Sequence, residues 1–75
     1  RWYGQLRRVE QAVEEASPAL RAGVYAQQVA RLDEIEHRVN RLTIPLSFAE
    51  ELYGLRSHIH FVRKRIDWLA QTPAS

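Results

Sequence analysis

The chain has 75 residues, no cysteine and a formal net charge of +2 at pH 7. This length allows one small domain, and without cysteine neither disulfides nor thiolate zinc sites can stabilise it. No run approaches the roughly 20 apolar residues of a membrane span, and no signal-peptide pattern is present. The chain begins with Arg1 and contains no Met, so we expect a fragment of a longer chain.

The first predicted helix covers about residues 2–16. Its apolar positions alternate in spacings of four and three, which is typical of a helix packed lengthwise on a partner. They are Trp2, Leu6, Val9, Val13, Ala16 and Leu20. Pro18 interrupts the pattern because proline disfavours helical geometry in the residue before it, and Ser17 is a candidate N-cap for the next helix.

The second predicted helix covers about residues 20–42, and Gly23 leaves its start open between Pro18 and Val24. Its apolar stripe has one spacing out of phase and consists of Tyr25, Val29, Leu32, Ile35, Val39 and Leu42. Pro45 ends the segment because it lacks the amide donor that a continuing helix needs.

The third predicted helix covers about residues 48–70. Ser47 and Glu50 have the spacing of a capping box at its start. Its acids lie in the first turn and residues 63–65 are basic, a distribution that suits the helix dipole. The seam alternates spacings of four and three without interruption through Phe48, Leu52, Leu55, Ile59, Val62, Ile66 and Leu69.

These elements predict an all-α fold with three helices in a single domain over residues 1–75. The five-residue connection between helices 2 and 3 favours an antiparallel helical hairpin or coiled coil. The N-terminal helix packs against this hairpin or leads away from it. A hairpin this small buries little apolar surface, so we also expect a homo-oligomer.

Two pairs of residues are candidate metal ligands. His58 and His60 are two positions apart, which on a helix directs them about 200° apart. Glu34 and His37 have the Glu-x-x-His spacing of di-iron bundles, but no second pair accompanies them. A metal-binding or small-molecule bundle around Glu34 and His37 is therefore the least favoured of three hypotheses for the function, after a self-associating or docking module and a nucleic-acid or lipid binder. We predict no metal site and no cofactor.

No pattern indicates an enzyme. Ser17 and Ser47 are explained as helix caps, and Ser57 has no base at a suitable spacing. The glycines are isolated, so none belongs to a phosphate-binding loop. We predict no catalytic residue.

The basic run Arg63-Lys64-Arg65 suggests an alternative function, an Arg-rich helical module that binds nucleic acid or anionic lipid. Three consecutive helical residues spread over about 200°, however, so they do not form one basic face. Nearby acids dilute the positive field further, and the preferred prediction contains no nucleic-acid partner.

A second apolar flank on the third helix is the main candidate interface. Phe61 and Trp68 lie seven residues apart, off the main seam, and share this flank with Gly54. Either the first helix covers the flank, through Trp2, Leu6 and Val9, or another subunit does. We select five interface candidates: Phe61, Trp68, Trp2, Tyr3 and Gly54.

Three stretches together resemble a known family. They are Arg1-Trp2-Tyr3-Gly4-Gln5-Leu6, then Arg38-Val39-Asn40-Arg41-Leu42 with Ile44-Pro45-Leu46-Ser47, and Leu52-Tyr53-Gly54-Leu55-Arg56-Ser57-His58-Ile59. In this order they resemble the C-terminal tail of membrane-anchored TAXI-type solute-binding proteins of TRAP transporters. The resemblance extends from Arg1 to about Leu69, and none of its motifs is a ligand-site signature.

The resemblance implies an N-terminal anchor, a periplasmic two-lobed binding domain, a late membrane span and then this tail. Arg1-Trp2-Tyr3 would continue a juxtamembrane helix on the cytoplasmic face of the bacterial inner membrane. The solute site would belong to the periplasmic domain, so no binding residue carries over. The implied function is a non-enzymatic tail that mediates self-association or docking to a membrane permease or cytoplasmic partner.

Overall fold

The computed structural model describes residues 1–71, which form three α-helices. They are α1 (Trp2–Glu15), α2 (Arg21–Asn40) and α3 (Ala49–Gln71), and a 3₁₀ turn at Leu46–Phe48 leads directly into α3. The described residues contain no strand, so the predicted all-α, three-helix class is confirmed. Each helix boundary lies within two residues of its predicted position.

A single hydrophobic core lies between the three helices, and each helix contacts both of the others. The first helix therefore packs against the hairpin and does not lead away from it. The α3 seam contributes four buried residues, α2 contributes three and α1 contributes three. The ten residues are Leu55, Ile59, Val62, Ile66, Leu32, Ile35, Val39, Leu6, Val9 and Val13.

Side-chain contacts show how the helices are ordered along one another. The Tyr25 hydroxyl, near the start of α2, donates a hydrogen bond to Asp67, near the end of α3. Farther along α2, Asp33 pairs with Arg63, which precedes Asp67 on α3. This reversed order favours the antiparallel pairing that the short connection predicts.

The connection between α1 and α2 differs from the prediction. Ser17 is not an N-cap, because α2 begins at Arg21 without a side-chain cap and the Ser17 carbonyl instead accepts a hydrogen bond from the Leu20 amide. Leu20 belongs to this turn and is exposed, so it is not part of the α1 seam. The Arg21 guanidinium closes the connection by donating to the Ala16 carbonyl at 2.9 Å.

The connection between α2 and α3 also differs at three residues. The predicted capping box is wrong, because Ser47 lies inside the 3₁₀ turn and the described chain shows no side-chain hydrogen bond from it. Phe48 and Leu42, expected on the helix seams, are 54% and 42% exposed. Both follow the periodic pattern, but they lie at the end of the bundle, where no third helix covers them.

The core predicts the effect of a single truncation. Ile59→Ala removes a side chain that is 1% exposed, and we expect it to lower the free energy of unfolding by about 2–5 kcal/mol through lost burial and a residual cavity. For so small a domain this loss can abolish folding. Chemical unfolding followed by circular dichroism measures it.

The neighbouring substitution His60→Ala is the matched control, because His60 is exposed on the same helix. It should change the free energy of unfolding by no more than about 0.5 kcal/mol. Equal effects of the two substitutions would contradict the assigned core.

Candidate functional site

An aromatic stripe runs along the outer side of α1 and α3. It consists of Tyr3 from α1 and His58, Phe61 and Trp68 from α3. The Tyr3 and His58 ring centroids are 5.1 Å apart in a tilted arrangement, and the His58 and Phe61 rings stack at 5.9 Å. Tyr3, Phe61 and Trp68 are 53%, 55% and 64% exposed, so these rings present a large apolar area to solvent.

The helix α1 lies beside this stripe and does not cover it. Trp2, Leu6 and Val9, which were possible covers for the flank, instead face the core. Tyr3 does reach across, and its hydroxyl lies 3.8 Å from the position that a Cβ atom would occupy at Gly54. The alternative in which the first helix covers Phe61 and Trp68 is therefore wrong.

Of the five predicted interface residues, four thus meet along the stripe or at its edge: Tyr3, Gly54, Phe61 and Trp68. Trp2 differs because it packs partly against the core. Its outer face contacts the Arg1 guanidinium, whose carbon lies 5.7 Å from the Trp2 ring centroid. The sequence places His58 on the helix surface. The structure shows that its ring also lies between the rings of Tyr3 and Phe61. Sequence reasoning missed this contact because Tyr3 comes from a distant segment of the chain.

The basic run of α3 joins the helices together. Arg63 bridges to Asp33 and Glu36 on α2, both at 2.9 Å. Arg65 bridges in the opposite direction to Glu10 and Glu14 on α1, at 3.2 and 3.3 Å.

The expectation that this run interacts with the dipole at the end of α3 is wrong. The helix continues to Gln71 and its last turn contains no basic residue. Arg63 and Arg65 point to different helices because residues two positions apart on a helix are about 200° apart.

Glu10 is the one charged residue in the described chain that is buried, at 6% exposure. Its carboxylate forms an ion pair with the Arg65 guanidinium at 3.2 Å. A buried carboxylate needs such a partner because loss of hydration is costly. The pair therefore helps to fix how α1 lies on α3.

A second polar link joins α2 and α3 near the other edge of the core. The hydrogen bond from the Tyr25 hydroxyl to the Asp67 carboxylate raises the pKa of Tyr25 above its ordinary value of 10.0, with burial and the negative charge of Asp67 acting in the same direction. The nearby Arg63 cation opposes this shift.

An apolar cleft opens at the end of the bundle where the α2–α3 connection meets the start of α1. It encloses about 340 Å³ and is lined by Trp2, Tyr3, Leu42, Ile44, Phe48, Glu51, Leu52 and Leu55. Sequence reasoning missed this site because it assigned Leu42, Phe48 and Leu52 to continuous seams. The proline-containing connection was the available signal, since it ends both seams at the same place.

The candidate metal ligands and the three serines are not brought together into one site. Glu34 pairs with Arg31 and Arg38 on the surface of α2, and His37 is exposed. Residues 1–71 hold no group of three or more His, Cys, Asp or Glu side chains that could bind a metal ion. Ser17, Ser47 and Ser57 are all exposed.

Comparison with known proteins gives no match to a family model, a curated protein or a solved structure. None of the helices in residues 1–71 is both long and apolar enough to cross a membrane.

The Tyr25–Asp67 hydrogen bond predicts a pH-dependent contribution to stability. Because the pKa of Tyr25 is raised in the folded state, the folded protein holds the phenolic proton more tightly than the unfolded chain. The resulting stabilisation is complete below pH 10 and is lost as the pH rises through the higher folded-state pKa.

Tyr25→Phe removes this contribution. We expect the variant to be less stable than the wild type by about 1 kcal/mol below pH 10, and the difference to shrink at higher pH. Urea unfolding between about pH 8 and 11.5 measures it, spanning the ordinary pKa of tyrosine. Gln27→Ala, an exposed and non-titrating change on α2, is the control, and a constant Tyr25→Phe difference would contradict the assignment.

Proposed function

We propose that this chain is a non-enzymatic helical module that associates with a second copy of itself through the aromatic stripe. The exposure of Tyr3, Phe61 and Trp68 on one side of the bundle is the observation that supports it most strongly. Aromatic residues are enriched in the buried centres of protein interfaces. They also supply most of the binding energy where they are fully enclosed.

The size of the stripe sets the strength that we expect. From Gly54 at its edge to Trp68, the stripe extends about 21 Å along α3 at 1.5 Å per residue. The whole bundle is 47 Å long and 17 Å wide. An interface confined to this area lies below the roughly 1,200 Å² of a standard stable complex. The self-association should therefore be reversible, with a dissociation constant in the micromolar range or weaker.

The parent protein is part of the same proposal. The three stretches that resemble TAXI-type solute-binding proteins support a role as the tail of such a protein, on the cytoplasmic face of the bacterial inner membrane. In that setting the stripe brings two parent chains together, or it docks the tail to the membrane permease or a cytoplasmic partner.

The ion pairs weigh against the nucleic-acid or anionic-lipid alternative. Arg63 and Arg65 each bridge to two carboxylates of the same molecule. Binding phosphates would require these guanidinium groups to leave their partners, including the buried Glu10. This alternative is therefore not the preferred proposal.

Sedimentation over a wide concentration range tests the self-association. We expect the average mass to rise with concentration for the wild type, and Phe61→Ser to weaken association about tenfold through loss of a central aromatic contact. Tyr53→Ser is the matched control, because Tyr53 is an equally exposed aromatic of α3 that lies about 80° around the helix from Phe61. A chain that remains monomeric throughout would contradict self-association, and pull-down with the permease would then test the docking role.

Glycine substitutions separate stability from association. Gly54→Ala should stabilise the isolated protomer by about 0.5–1 kcal/mol, because alanine is the better helix former. The added Cβ meets only the Tyr3 hydroxyl at 3.8 Å, an ordinary contact. If a second copy approaches closely at this glycine, the same change weakens association.

Gly23→Ala is the control for that experiment. Nothing lies within 4 Å of a Cβ at Gly23, so we expect improved stability in unfolding measurements and unchanged sedimentation. Identical sedimentation of the two alanine variants would place Gly54 outside the interface.

A further inference from the structure

The cleft at the end of the bundle combines an apolar surface with a single charge. Seven of its eight lining residues are aliphatic or aromatic, and the eighth is Glu51. Three of the seven are the aromatic residues Trp2, Tyr3 and Phe48. Its volume of about 340 Å³ lies at the lower end of the range found for small-molecule sites, roughly 300–1,000 Å³.

The charge of this cleft is not neutralised by any ion pair among residues 1–71. Most acidic side chains of the described chain are paired, as Glu10, Asp33 and Glu36 are with arginines. The Glu51 carboxylate has no hydrogen bond or ion pair among residues 1–71. It is therefore available to a positively charged group that enters the cleft.

The aromatic residues favour the same kind of ligand. The negative face of an aromatic ring attracts a cation, most strongly in the case of tryptophan. In this protein the Arg1 guanidinium already lies 5.7 Å from the Trp2 ring centroid, so a cation is found against one of these rings. A neutral ligand would use the apolar walls alone, and an anion would be repelled by Glu51.

We propose that this cleft binds small organic cations that have an apolar body. The apolar body packs on Leu42, Ile44 and Leu52, while the cationic head interacts with Glu51 and the aromatic rings. This inference does not depend on self-association, because it rests on the end of the bundle and not on the outer side of α3.

Glu51 has a second favourable interaction that must be separated from ligand binding. Both Glu50 and Glu51 lie in the first turn of α3, where a negative charge interacts favourably with the helix dipole. Glu50 shares this interaction but does not line the cleft. Glu50→Gln is therefore a matched control for Glu51→Gln.

Three probes of one shape test the proposal: 3-phenylpropylammonium, 3-phenylpropan-1-ol and 3-phenylpropanoate. The chain contains two tryptophans, so Trp68→Phe leaves Trp2 as the single tryptophan reporter of the cleft. The same change keeps an aromatic ring in the stripe, and Trp2 lines the cleft and is not part of the stripe, so its fluorescence reports on the cleft. Titration followed by Trp2 fluorescence should rank the ammonium first, the alcohol second and the carboxylate last.

We expect the ammonium to bind at least about two- to fivefold more tightly than the alcohol, the range that cation–aromatic attraction alone gives at an exposed site, with the charge of Glu51 adding to this preference. Glu51→Gln in the Trp68→Phe background should lower this preference to its cation–aromatic part without changing the affinity for the alcohol. Glu50→Gln should preserve it. Equal affinities for the three probes, an equal loss in both glutamine variants, or no change in Trp2 emission up to about 10 mM probe would each overturn the proposal.

Discussion

The structure depends on the burial of one seam of α3 between two other helices. Leu55, Ile59, Val62 and Ile66 face both α1 and α2, and the remaining six core residues close around them. A domain of this size has few apolar contacts beyond those that it needs to fold, because a shorter chain buries a smaller fraction of its surface. The single seam therefore decides both that the chain folds and which surfaces remain outside.

The polar contacts around this core fix the arrangement of the helices more than they add to stability. Arg63 pairs with α2 and Arg65 pairs with α1, so two arginines of α3, two positions apart, link the three helices. Exposed ion pairs contribute little free energy, but the burial of Glu10 makes the α1 contact specific, because this carboxylate has to meet a cation. The same contacts occupy charges that would otherwise form a basic surface.

Two surfaces remain after the core and the ion pairs are formed. The aromatic stripe lies along the outer side of α1 and α3, and the apolar cleft lies at the end of the bundle where Pro45 interrupts the chain. Tyr3 contributes to both, because its ring contacts His58 while it also lines the cleft.

The sequence by itself determined the three helices and most of their buried faces. Apolar side chains at spacings of three and four lie on one face of a helix, and this face is buried by packing against another helix. Leu32, Ile35 and Val39 on α2 and the central α3 seam were predicted in this way. Periodicity failed at Leu20, Leu42 and Phe48, where the pattern continues past the last residue that another helix covers. Only the tertiary structure decided those limits, the exposure of Phe61 and Trp68, the partners of Arg63 and Arg65, and the cleft around Glu51. Each of these depends on contacts between segments distant in sequence, and no local spacing encodes such contacts.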